Sequence, residues 1–280
     1  MGTTPRFSTA NMPIERLIGT PEQAGVSAAA LEALFAAGQR EVDEGRAQGC
    51  QMAVARHGRL AAMASFGTTE SGPVTDSTMF HIFSATKATM GVAICKLVEE
   101  QKLRLSDRIA DIIPGFADND GARDDPFLKA EMTLKHVVTF TAGFPNPPGQ
   151  QGLNLSTSEG RTEWACSFGL EWPPGEFYQY HPGSGHWLMA EVVTRVTGVD
   201  FRDYLRSNVL DPCGLSHFYV GLPVDLQAFV HCADIVTADR ANSGKYETGQ
   251  GMSGMGHPEI VSLHASAVYH ATVPDLVLMY

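Results

Sequence analysis

The apolar positions of this chain fall into a few clear periods. Behind Gly25-Val26-Ser27, Leu31, Leu34 and Phe35 recur at helical spacing and Ser27 can cap the free amides, so a helix is predicted from there to about Glu44. Gln51 to His57 and Leu60 to Phe66 are short apolar runs divided by His57-Gly58-Arg59, the pattern of a β-hairpin with glycine at its turn. It is the one strong strand pair that the pattern shows. From Thr86 to about Gln101, the residues Met90, Ala93, Ile94, Leu97 and Val98 share one helical face, and charge arrives only with Glu99 and Glu100, which predicts a buried helix. Leu103 to Asp107 and Ile112 to Phe116 read as a turn and a short helix stopped by Pro114. Leu134, Val137 and Val138 make Thr133 to Phe140 helical, with Thr133 as its cap.

Thr141 to Gly160 is rich in Gly, Pro, Asn and Ser and reads as a surface loop of the kind that covers a binding site. Pro173-Pro174-Gly175 is a second break, followed by helices from about His186 to Val196 and from Asp200 to Val209, then by Asp211-Pro212-Cys213-Gly214. A last helical signal runs from Val273 to Tyr280. There is no internal repeat.

Composition narrows the function. A 44% hydrophobic content and a mean hydropathy of −0.08 fit a globular chain of one large or two ordinary domains, with no apolar run long enough for a membrane span or a signal-peptide core. A net charge of −11 argues against nucleic acid, which is bound through clustered Lys and Arg. The five cysteines are an odd number with no C-x-x-C pair, so reduced thiols and a cytoplasmic location are expected, with neither a zinc knuckle nor a disulfide framework.

Candidate chemistry centres on Ser84-Ala85-Thr86-Lys87. The spacing sets a hydroxyl before a helix and an amine one turn on, so the two can touch. A serine becomes a nucleophile when a neighbouring base takes its proton, and backbone amides at a helix start can hold an oxyanion. With 17 serines and 6 lysines in 280 residues, roughly 0.4 such tetrapeptides arise by chance, so spacing alone also allows a helix capped by Ser84 with Lys87 in solvent.

Context decides between these readings. Phe80-His81-Ile82-Phe83-Ser84-Ala85-Thr86-Lys87 carries the pattern F-x-x-x-S-x-T-K, and Leu103 to Asp107 follows the helix behind it. Thr133 to Phe144 is similar to T-L-R-H-L-L-x-H-T-S-G-L, with Phe140 and Ala142 in place of a His and a Ser. Pro174-Gly175-Glu176-Phe177-Tyr178-Gln179-Tyr180 looks like P-G-x-x-F-x-Y, with Tyr178 at the aromatic position, and Val193 to Gly198 and Leu210 to Leu215 come after it in order. Together these segments resemble the serine β-lactamase and penicillin-binding-protein superfamily, class C β-lactamases and family VIII esterases in particular.

The resemblance implies an α/β fold of the β-lactamase/transpeptidase kind: an antiparallel sheet flanked by helices, with a mostly helical domain beside it. Residues 1–114 would form the α/β portion, 115–262 the helical portion, and 263–280 the start of a return to the sheet. It also implies that Ser84 is acylated, that Lys87 accepts its proton, and that Tyr180 passes a proton to the leaving group; Tyr178 is the rival, but its spacing from Gly175 fits less well. A tyrosine, with an ordinary pKa of about 10, needs positive charge nearby to act as a base, and Lys87 would supply it. Phe83, Phe144, His181 and Pro182 are expected to contact a small ester or amide substrate.

Proline at 182, where the β-lactamases have asparagine, removes an amide that contacts a β-lactam and favours an esterase. β-Lactamase or D-amino-acid peptidase activity, and a non-catalytic scaffold that keeps the fold, are the alternatives. No K-T-G third motif is present; Lys245-Tyr246-Glu247-Thr248-Gly249 only mimics it, and the chain is expected to be an incomplete version of a longer protein, lacking C-terminal strands. His181 and His186 do not share a helical face and are expected to pack and not to bind metal. Gly251 to Gly256 follows no strand and reads as a loop, and G-x-S-x-G is absent, against an α/β-hydrolase. Neither a metal nor an organic cofactor is implied.

Overall fold

The computed structural model describes residues 18–69, 72–118, 129–145, 153–181 and 183–220, with short strand pieces at 237–238, 246–247 and 269–271. Helix α1, Ala28–Asp43, starts where Ser27 Oγ accepts the Ala30 N–H at 3.4 Å. It lays Leu31 and Phe35 on the hairpin, against Val54, Ala61 and Ala62, while Leu34, expected on that face, is exposed. The hairpin pairs β1, Gly49–Arg56, with β2, Arg59–Thr69, in antiparallel register from Gly49 opposite Gly67 to Arg56 opposite Arg59. Its two turn residues, His57 and Gly58, both have positive φ (53° and 68°), the geometry whose twist matches the flanking strands. Strand β3, Gly72–Pro73, extends this sheet on the β2 side.

A second sheet has no precedent in the hydrophobic pattern. Strand β4, Phe80–His81, and strand β5, Tyr219–Val220, lie on either side of a later strand, with Phe80 opposite Ala271 and Val220 opposite Tyr269. Strands β6, Thr237–Ala238, and β7, Tyr246–Glu247, pair with each other, and the central strand of the second sheet is β8, Tyr269–Ala271. Strands of two or three residues are too short to show a period of two, which is why sequence pattern finds only the hairpin.

The core lies among the helices. Helix α2, Lys87–Glu99, buries Met90, Ala93, Ile94 and Leu97 on one face, as the spacing predicts. They meet Ile109 of the four-residue α3, Ile109–Ile112, together with Ile113 and Phe116, and Leu134 and Val137 of α4, Leu134–Val138. Burying each such large apolar side chain contributes about 1.5–3 kcal/mol. Helix α5, Ser158–Cys166, occupies the end of what reads as a surface loop, and the loop's start is internal too: Ala142 and Phe144 are buried. Helix α6, Ser184–Thr197, is buried along most of its length, and α7, Phe201–Leu205, runs on into a π-helical turn, Arg206–Leu210.

Among the described residues no helix is long and apolar enough to cross a membrane, and Cys50, Cys95, Cys166 and Cys213 are free thiols. Cys232, the Gly251 to Gly256 run and the Val273 to Tyr280 signal lie outside the described residues.

Candidate active site

Ser84 stands in a 3₁₀ turn, Phe83–Thr86, between β4 and α2. On one side β8 holds β4 by its backbone; on the other the buried Thr89 hydroxyl donates to the Thr86 carbonyl at 2.8 Å. The Ala85 N–H closes the turn on the Ile82 carbonyl at 3.1 Å. The turn brings Lys87 back over the serine, and its Nζ donates to Ser84 Oγ at 3.2 Å.

The third group arrives from a distant segment. Residues 171–179 run beside 140–143, stitched by Glu171 N–H to Gly143 O (2.8 Å), Gly175 N–H to Thr141 O (2.7 Å) and Gln179 N–H to Phe140 O (3.0 Å). Gly143 is required for this approach: its φ is 79°, and a Cβ there would lie 2.2 Å from the Trp172 carbonyl. The ribbon ends with the Tyr180 hydroxyl 2.5 Å from Ser84 Oγ and its ring centroid 5.1 Å from Lys87 Nζ. Burial pushes the Tyr180 phenol up, but hydrogen bonds to Ser84 and Lys87 and the Lys87 charge outweigh it and hold the phenol below the ordinary tyrosine range. Tyr178, the rival two residues earlier, is 69% exposed, and its ring packs edge-on to Phe140.

Phe140 belongs to this cluster although sequence reading marks it only as a departure from the motif. Helix α4 begins with the His136 ring nitrogen accepting the Thr133 N–H at 3.2 Å. It ends with the Thr141 N–H on His136 O (2.9 Å) and the Phe140 N–H on Val137 O (3.2 Å), a pair of bonds that puts Phe140 in the left-handed position usually given to glycine. Its φ is 58°, which costs a residue with a side chain roughly 1–2 kcal/mol. Its ring lies 5.1 Å from that of Tyr180, centroid to centroid. The available signal in sequence was a predicted helix end with no glycine, Val138-Thr139-Phe140-Thr141.

Of the residues expected to contact substrate, Phe144 and His181 lie beneath the site. Both are almost fully buried, the His181 Nε2 meets the Phe144 carbonyl at 2.6 Å, and their rings stack edge-on. This contact ties the end of the ribbon to the loop after α4, so the two residues fix Tyr180 from below. Pro182 and the side chain of Phe83 lie outside the described residues. His186 is buried in the first turns of α6; burial, with the Lys87 charge, drives its pKa down to about 3, so it is neutral under ordinary conditions.

This arrangement can be set beside known proteins. The family model described as Beta-lactamase matches residues 31–276. A putative D-alanyl-D-alanine carboxypeptidase of Escherichia coli K12 is 34% identical over 149 residues, which cover 51% of this chain and 34% of that protein. A lovastatin esterase of Penicillium rubens is 27% identical over 197 residues, covering 62% of this chain and 47% of the esterase. The octameric penicillin-binding-protein homologue of Pyrococcus abyssi superposes with a TM-score of 0.68 at 22% identity, over 90% of this chain and 55% of that one. The chain therefore spans between a third and little more than half of the length of these relatives. The fold is that of the β-lactamases and transpeptidases, an antiparallel sheet flanked by helices.

Proposed function

Because this chain belongs to the β-lactamase family of serine hydrolases, within the serine β-lactamase and penicillin-binding-protein superfamily, we propose that it hydrolyses small or medium carboxylic esters through an acyl-enzyme on Ser84. One observation carries the reading: Ser84 Oγ lies within hydrogen-bonding distance of both Lys87 Nζ and the Tyr180 hydroxyl. Lys87 donates to Ser84, and its positive charge favours the phenolate form of Tyr180. In place of Lys87, to which the resemblance gives this step but which as an ammonium donating to Oγ has no lone pair to accept with, Tyr180 then takes the Ser84 proton as Oγ bonds to the ester carbonyl carbon. The oxyanion is held by backbone amides at the start of the turn, that of Ser84 among them, where helix-start N–H groups lack intrahelical acceptors. As the C–O bond to the alcohol breaks, the Tyr180 phenol returns the proton to the leaving oxygen. Water repeats the sequence on the acyl-enzyme and releases the acid. No step calls on a metal or an organic cofactor.

The name of the lovastatin esterase supports an ester substrate, as does proline at 182, which carries no side-chain amide for a β-lactam. The 34% identity to the putative carboxypeptidase favours a second reading, cleavage of D-alanyl-D-alanine peptides. Hydrolysis of p-nitrophenyl butyrate and labelling by a fluorophosphonate probe test the first: both are expected in the wild-type chain, and both should disappear in Ser84→Ala. Labelling that survives Ser84→Ala refutes the nucleophile, and a chain with no Ser84-dependent turnover is a scaffold. Faster turnover of a D-alanyl-D-alanine peptide or a chromogenic cephalosporin than of the ester would transfer the assignment to that substrate.

A further inference from the structure

We propose that Phe140 is a positioning residue for Tyr180, its ring setting the phenol against Ser84. The inference rests on the reading of Ser84 and Tyr180 just given. Three residues with side chains have positive φ among the described residues, and two of them, His57 and Gln101, are exposed turn or helix-end positions. Phe140 alone is half-buried, and its ring neighbours that of Tyr180. A large residue stays in a conformation that glycine adopts freely only where its surroundings over-determine it, and such residues concentrate at active sites.

Two contacts do the fixing here. The Phe140 carbonyl accepts the N–H of Gln179, the residue before Tyr180, at 3.0 Å. Its ring neighbours two phenols, 5.1 Å from Tyr180 at an interplanar angle of 32° and 6.4 Å from Tyr178 at 69°. Aromatic pairs attract at such distances. Tyr180 is 42% exposed, so its ring has solvent on much of its surface, and Phe140 supplies a wall that restricts its swing. A benzyl side chain has no group to exchange protons with, so its effect on the reaction would pass through Tyr180.

The test separates the ring from the backbone. Phe140→Gly keeps the left-handed turn and the carbonyl while deleting the ring; Phe140→Tyr keeps the ring. With the folded, reactive fraction counted by fluorophosphonate titration, Phe140→Gly is expected to lower kcat for p-nitrophenyl butyrate by about tenfold or more with KM within about twofold, since small misplacement of a reacting group is costly. Phe140→Tyr should stay within about twofold of the wild type. In a Tyr180→Phe background the glycine substitution should add little, because the effect runs through the missing hydroxyl. A raised KM with kcat retained would overturn the proposal in favour of substrate contact, and an undiminished kcat or a full additional loss without the Tyr180 hydroxyl would overturn it outright. If Phe140→Gly yields no titratable protein, Phe140→Leu is read by the same criteria. Loss of the ester activity's dependence on Ser84 or Tyr180 would instead overturn the underlying reading, whatever Phe140 does.

Discussion

Two of the polar clusters among the described residues are built on opposite plans. Around Arg161, α5 and α6 share a network whose central pair, Arg161 and Glu191, is fully buried. The guanidinium Nε donates to Glu191 Oε2 at 3.0 Å, its other nitrogens donate to the carbonyls of Leu155 and Ser156 and to Thr194 Oγ1, and its plane lies over Phe201. The second Glu191 oxygen accepts from Ser158, Thr162 and Arg195. Charge meets counter-charge and the polar atoms are filled. The cluster of Ser84, Lys87 and Tyr180 instead joins an ammonium to two hydroxyls at a helix start, and its phenol is pulled away from its ordinary range. A saturated network fixes structure; a cluster whose proton positions are finely balanced can do chemistry.

Substitutions in each cluster should therefore move different observables. Arg161→Met strips the buried Glu191 of one of its two cationic partners and leaves Arg195, so the loss is expected at the lower end of the roughly 3–5 kcal/mol that breaking a buried pair costs, against a typical total stability of roughly 5–15 kcal/mol. Thermal or urea unfolding should show that loss, while activity per titrated Ser84 stays near wild type; a catalytic loss without destabilisation would break the contrast. Tyr180→Phe should do the reverse, lowering kcat for the ester at least a hundredfold, about 2.7 kcal/mol of barrier, with the unfolding midpoint unchanged.

Acid should sharpen the comparison further. His186, next to the site, has a folded pKa of about 3 against an ordinary 6.5, so between these values the unfolded chain binds the extra proton and stability falls as pH falls. From pH 7 to pH 5 the cost is about 2 kcal/mol, and His186→Asn should flatten that part of the stability curve. In the other cluster, burial pushes Asp200 up, but hydrogen bonds from Arg202 and the charges of Arg202 and Arg161 hold it below its usual 3.8. Its contribution is present above that value and is lost only as pH falls through the lower folded pKa. Unfolding monitored from pH 7 to 3 should thus weaken through His186 first; a curve flat down to pH 4 would contradict that order.

The same division explains what could be read from the sequence. Helices α1 and α2 are legible because their apolar faces repeat at 3.6 residues, the hairpin because a glycine turn divides two apolar runs, and Ser84 with Lys87 because one helical turn joins them. Tyr180 is found by its spacing from Gly175 in a resembling motif. Helix α5 is hidden because Ser158-Glu159-Gly160-Arg161-Thr162-Glu163 is polar throughout, and what seats it is a buried arginine that no hydrophobic period can mark. The burial of Phe144 and His181 is hidden for a related reason: adjacency to a motif says nothing about which side of the chain faces the core. Phe140 is missed because its role depends on the sign of one dihedral angle.

The pairing of β4 with β8 bears on how the molecule is made. Phe80 finds Ala271, so the strand leading into Ser84 is completed by residues far downstream of it in the sequence. Contacts so far apart along a chain are slow to form, and during synthesis they wait for the later partner to emerge. The helical core, with its many local contacts, can condense first. The turn that carries Ser84 would then be seated later than the helical core behind it.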